Sequence, residues 1–135
     1  MSDVAVEVRW DSGLRFEGVG RGGVATLVDG ESAAAPSPME SLLMSLAACM
    51  GIDVVDMLNK MRVPFEGLVV RAEGDRRAEP PRRYTAIRLV YEARGVSEDA
   101  GPKLQRAVDL SRDRYCSVLH TLHPDLDLSI EIEAG

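Results

Sequence analysis

Basic charge is in short supply in this sequence. Lysine and arginine number 16 against 22 aspartates and glutamates, for a formal net charge of −6. A surface that reads phosphates needs a basic face, and this balance disfavours one. Aromatic residues are scarcer still, at 4% of the chain, too few for a base-stacking platform. No nucleic-acid partner is expected. Long apolar runs are also missing. The most apolar window, Met39 to Ile52, is closed by Asp53 and falls short of the ~20 residues that cross a bilayer. It reads as a buried core helix, with no membrane partner. Met1 to Glu7 show neither a basic n-region nor an apolar h-region, so no export signal is expected and the cytoplasm is the expected location. Only two cysteines are present, in no CxxC or zinc-ribbon pattern. In a reducing compartment such a pair is more often catalytic or redox-active than a structural disulfide. No internal repeat or low-complexity tract is evident.

What remains is an ordinary globular composition, 45% apolar over 135 residues, which suits a single domain spanning 1–135. The first thirty residues alternate with period two. Val4, Val6, Val8 and Trp10 share one face, which predicts a half-buried strand. Asp11-Ser12-Gly13 is a turn signal, Leu14 to Val19 returns as a second strand, and Gly22-Gly23 precedes a third, Val24 to Val28. Ser37-Pro38-Met39-Glu40 opens a helix, with Ser37 as N-cap, Pro38 at N1 and Glu40 completing a capping box. That helix runs to about Met61 and is stopped by Pro64. Its first half is apolar nearly all round; its second half gains Asp53, Asp56, Asn59 and Lys60 on one side.

Phe65 to Ala72 and Tyr84 to Ala93 are predicted strands, with Val69, Ile87, Leu89 and Tyr91 facing inward. The charged segment between them, Glu73 to Arg83, interleaves acids with its arginines and so reads as a solvated hairpin rather than an anion site. Ser97-Glu98-Asp99 opens a second helix with an apolar stripe of Leu104, Ala107, Val108 and Leu110. A short helical turn is expected after Cys116, and Asp127 to Glu133 is a final strand. The order is βββ-α-ββ-α-β, an α+β domain.

Cys49 lies in the apolar helix, and Cys116 follows the second one. If folding brings them together, one thiol can attack a substrate and the other resolve the product; if not, both are small core residues, a common fate of free cysteine. A thiol in a buried helix is inert unless a cation or donor offsets desolvation, and Arg15 and Arg21, at the first two turns, are the candidate cations. Cys116, His120 and His123 have ligand-like spacing, but no fourth ligand is evident, so no metal and no cofactor are expected.

The segment Pro38-Met39-Glu40-Ser41-Leu42-Leu43, the run Ala47-Ala48-Cys49 and the distant Tyr115-Cys116-Ser117-Val118, taken with the element order, resemble the OsmC/Ohr family of thiol-dependent peroxidases. The closer likeness is to the OsmC-like branch whose central helix begins Pro-Met-Glu. The resemblance implies an antiparallel sheet packed on a buried central helix and an intertwined homodimer. It implies that Cys49 is the peroxidatic cysteine, oxidised to a sulfenic acid by an organic hydroperoxide. It implies that Cys116 resolves this to a disulfide, that an external dithiol reduces the disulfide, and that Arg15 activates the thiolate. A pocket lined by Leu43, Leu46 and Met50 would suit alkyl hydroperoxides.

One position departs from the family pattern. The peroxidases place their catalytic glutamate directly after the helix-starting proline, where this chain has Met39. The carboxylate comes one residue later, at Glu40, turned by ~100° on the helix. Glu40 is the catalytic candidate, with capping as its other explanation. Met39 favours an alternative reading, a non-peroxidatic protein that binds a small apolar ligand or senses redox state.

Overall fold

Alternation and well-placed turn residues build the first unit. The computed structural model describes residues 2–134, and their contacts form two units, Met1–Leu42 and Leu43–Gly135. Met1 and Gly135, which the expected domain includes, lie outside the described residues. β1 (Glu7–Ser12), β2 (Arg15–Val19) and β3 (Ala25–Asp29) form an antiparallel sheet in that order. Gly13 takes the tight turn at φ +54°, a conformation open to glycine at little cost, and its carbonyl accepts the Trp10 indole N–H at 2.9 Å. The strand face expected to be half-buried is not: Val4, Val6, Val8 and Trp10 are all well exposed.

Asp29 ends β3 and folds the small-residue loop that follows. Its buried carboxylate accepts the N–H groups of Glu31 at 2.9 Å and Ala34 at 2.8 Å, with Ala33 at 3.3 Å. Those donors hold its pKa below the usual carboxylate value, against the effect of burial. The loop delivers the chain to α1 (Pro38–Lys60). The capping box forms as predicted, with Glu40 N–H donating to Ser37 Oγ at 3.2 Å and Ser37 N–H to Glu40 Oε1 at 2.9 Å.

In the second unit the same helix supplies one wall of a core. Leu46, Met50, Val54 and Leu58 recur every four residues and are wholly buried; each such side chain is worth about 1.5–3 kcal/mol of burial. By length and composition α1 is long and apolar enough to cross a membrane, longer than the apolar window suggested because its polar second half continues the helix. Its buried stripe is that of a core helix. β4 (Gly67–Arg76), β5 (Tyr84–Arg94) and β6 (Asp127–Ala134) form the second sheet, with β5 central. Ile87, Leu89, Tyr91 and Ala93 of β5 are buried, as period-two alternation requires.

Three expectations change here. β6 runs parallel to β5, so the sheet is mixed rather than wholly antiparallel; α2 (Gly101–Leu110) and α3 (Ser117–Thr121) form the crossover that a parallel pair demands. β4 extends to Arg76 because its charges alternate onto one face, where Arg88 pairs with Glu73 at 3.3 Å and Asp75 at 3.0 Å, and Arg71 with Glu92 and Glu133, both at 3.1 Å. Val69 belongs to that outer face and is exposed; Val70, one residue on, faces α1.

Gly74 of β4 marks the tightest spot in this packing. A Cβ there would stand 2.6 Å from two ring carbons of Tyr84. Gly74→Ala is therefore expected to lower stability by about 1–3 kcal/mol through overpacking, read from urea unfolding; an unchanged midpoint would show that the ring yields freely.

Candidate functional site

Two chain segments converge in the second unit. On α1, Cys49 and Asp53 are one turn apart and share a face. After α2 the backbone widens into a single π-helical turn, Ser111–Tyr115, closed by Cys116 N–H donating to Ser111 C=O at 2.9 Å. Such wide turns recur at functional sites. This one places Ser111 and Cys116, both fully buried, toward α1. Ser111 Oγ donates to Asp53 Oδ2 at 2.8 Å. The sulfurs of Cys49 and Cys116 and a carboxylate oxygen of Asp53 all lie within 4.8 Å of one another. Both cysteines are free; Cys49 is half-buried and Cys116 is not exposed at all.

The environment keeps Cys116 protonated. Burial pushes its thiol up to about 11. The Leu119 N–H, donating to Cys116 Sγ at 3.3 Å at the start of α3, pulls the other way, while the Cys49 thiol and the Asp53 charge add to the rise. Tyr91 lies close enough to be affected by both Cys116 and Asp53, and burial above all holds its phenol higher than usual. Its hydroxyl is buried and has no hydrogen-bond partner among the described residues.

The other predicted residues have partners in their own segments. Arg15 belongs to the first unit, where its Nη2 donates to Ser12 Oγ at 2.5 Å and lies 3.8 Å from Asp11 Oδ2. Glu40, also in the first unit, accepts from the Ser32 hydroxyl as well as from Ser37, and these donors hold its carboxyl below its ordinary range. The histidines do not join Cys116: His120 Nε2 meets Arg112 C=O at 3.0 Å, and His123 Nδ1 accepts the Asp125 N–H at 3.1 Å. Leu46 and Met50, expected to line a pocket, are fully buried in the core. The opposite face of α1 instead borders an open apolar groove of about 650 Å³, with Met44, Ala48, Ile52 and Val55 on one side and Leu68 and Val70 on the other.

Sequence reasoning missed Asp53, Ser111 and Tyr91. Asp53 carried a signal, a carboxylate four residues after the helical cysteine. Ser111 carried only its place five residues before Cys116.

Fold and site define an α+β protein built around a paired-thiol centre. The OsmC-like protein family matches residues 29–131, and the chain belongs to that family. It is 40% identical over 128 residues to Protein YhfA of Escherichia coli strain K12, covering 93% of this chain and 94% of that one. The crystal structure of a hypothetical protein from Aquifex aeolicus VF5 is similar with a TM-score of 0.87 and 32% identity, covering 100% of this chain and 98% of that one. The organic hydroperoxide resistance protein OhrB of Bacillus subtilis superposes with a TM-score of 0.67 at 13% identity, covering 98% of each chain, a likeness of fold.

The raised Cys116 pKa has a measurable sign. A neutral thiol favoured by folding contributes stability that is fully present below the unfolded thiol value of ~8.5 and is lost as pH rises through about 11. In the Cys49→Ser variant, alkylation of Cys116 is expected to reach half its limiting rate well above pH ~8.5. A midpoint at the ordinary thiol value would contradict the buried setting.

Proposed function

We propose that this protein reduces organic hydroperoxides with its cysteine pair, acting as a cofactor-free thiol peroxidase in defence against oxidative stress. The observation that carries the reading is the approach of Cys49 and Cys116 across two distant segments, with a carboxylate beside both. Cys49 is the more accessible sulfur and meets the oxidant first. Its thiol proton passes to Asp53 as the sulfur attacks the O–O bond. The departing alkoxide takes that proton, leaving an alcohol and a Cys49 sulfenic acid. Cys116 then attacks the sulfenic sulfur, a disulfide forms, and the hydroxyl leaves with the Cys116 proton as water. An external dithiol returns both thiols by exchange, becoming a disulfide itself.

Asp53 adds a proton carrier beside the thiols, separate from the carboxylate that the resemblance assigns at Glu40. Glu40 is engaged with Ser37 and Ser32 at the helix start, which fits the departure at Met39. Arg15 retains the role of thiolate activator that the resemblance assigns it, and Glu40 that of its carboxylate partner. A homodimer of two OsmC-like domains, each 1–135, is supported by the apolar side chains one chain leaves in solvent. Trp10 is 66% exposed, Ile52 68% and Val24 81%, large apolar side chains that a partner's surface would cover. A cytoplasmic location would keep the thiols reduced between turnovers.

The apolar groove beside α1 supports a second reading, binding of a small apolar ligand, because about 650 Å³ is the size of ordinary ligand sites. One experiment separates the two. Reduced protein mixed with cumene hydroperoxide, with chelator present throughout, is expected to lose two thiols per chain faster than free cysteine does. Cys49→Ser is expected to abolish the loss, and Cys116→Ser to stop at a sulfenic acid trapped by dimedone. Oxidation no faster than free cysteine would remove the peroxidase reading and leave the ligand-binding one.

A further inference from the structure

We propose that the reduced cluster of Cys49, Asp53 and Cys116 is a binding site for one zinc-class divalent cation, with a coordination position left open to water or an exogenous donor. The site needs only reduced thiols, so it stands whether or not Cys49 reacts with hydroperoxides.

The donors are already gathered. Two sulfurs and a carboxylate oxygen lie within 4.8 Å of one another. Around a tetrahedral ion, with metal–sulfur bonds of ~2.3 Å and metal–oxygen bonds of ~2.0–2.2 Å, such donors stand a little under 4 Å apart. A cation therefore has to draw this set together by about an ångström at most. Two sulfurs and one oxygen select zinc-like ions over magnesium or calcium, which prefer six or more oxygens. Three protein ligands leave the fourth position free, as in catalytic rather than structural zinc sites.

The surroundings supply what a ligand set requires. Ser111 Oγ holds the carboxylate of Asp53 at 2.8 Å, the outer contact that orients a metal-binding carboxylate. The Tyr91 hydroxyl, buried beside Cys116 and Asp53, has no acceptor among the described residues, and a buried donor without a partner calls for a physical reason. A thiolate created at Cys116 by metal binding would put a negative charge near this hydroxyl. Asp53 also lines an open cavity of about 530 Å³ together with Asp56, Lys60 and Tyr115, which gives a cation and its waters a route to the carboxylate.

Charge makes the site conditional. Without a cation, three potential anions converge, and burial keeps Cys116 neutral. Binding displaces the thiol protons to solvent, so affinity rises with pH. A disulfide offers no thiolate, so the metal and the Cys49–Cys116 bond exclude one another, and the cation shields the pair from oxidation.

The test is an anaerobic titration of reduced, chelator-stripped protein with Co(II), a spectroscopic stand-in for zinc. One equivalent per chain is expected to produce an intense near-ultraviolet sulfur-to-cobalt band and the visible bands of a tetrahedral ion, both bleached by zinc. Asp53→Asn keeps the shape and a contact to Ser111, and is expected to weaken cobalt binding at least tenfold. Cys116→Ser is expected to cut the sulfur band by about half or more, and His120→Ala to leave the titration unchanged. Absence of the sulfur band in wild-type protein that circular dichroism shows to be folded would overturn the proposal, as would undiminished affinity in folded Asp53→Asn. The wild-type spectrum decides alone if that variant does not fold. No peroxide enters this titration, and the thiol-loss experiment is run with chelator, so failure of either leaves the other standing.

Discussion

The hydrogen bond from Ser111 to Asp53 at 2.8 Å is the constraint from which the site follows. Its acceptor is fixed on the central helix, one turn beyond Cys49. Its donor is the first residue of the π-helical turn, whose carbonyl also accepts the Cys116 N–H at 2.9 Å. One residue thus sets both ends of the wide turn and ties it to the helix carrying the other thiol. The contact joins a hydroxyl to a part-buried carboxylate, and such charge-assisted bonds are stronger than neutral ones. It ties the part of the crossover that carries the buried thiol to the helix that faces it.

This arrangement puts two thiols of one type in different settings. Cys116 is sealed, capped by a backbone N–H and raised by burial, so it is protected until something brings it an electrophile. Cys49 sits on the helix face that solvent partly reaches. A carboxylate beside both sulfurs can exchange protons with them or share a cation with them, and the two uses require the same reduced state. Elsewhere in the second unit, α1 buries only one of its apolar faces; Met44 and Ile52 on the other stay exposed. A helix apolar all round needs cover on every side, which is the physical argument for a partner on that face.

Much of this was legible in the residues. The capping box at Ser37 and Glu40, the stop before Pro64, the alternation of β5 and the stripe of α2 all encode themselves locally, because each depends on neighbours two to four positions away. Both cysteines stood out by their settings. The parallel pairing of β6 was hidden: alternation fixes which face a strand buries but not its direction, which depends on the path of the crossover. Val69 and Val70 are interchangeable in an apolar run, so only the sheet register separates them. Asp53 looked like the start of a solvated helix face because its partner, Ser111, lies beyond two strands and another helix. The π-helical turn leaves no compositional trace. Tyr91 points inward as strand alternation requires, but its unpaired hydroxyl is a property of packing alone.

The measurement that tests the central claim most directly is non-reducing peptide mapping of protein oxidised by one equivalent of an organic hydroperoxide. The account predicts a single new species in which the Cys49 and Cys116 peptides of one chain are joined, returning to two free thiols on treatment with dithiothreitol. Two peptides that stay separate, with Cys49 driven to sulfinic acid or bridged to another chain while Cys116 remains a free thiol, would contradict it.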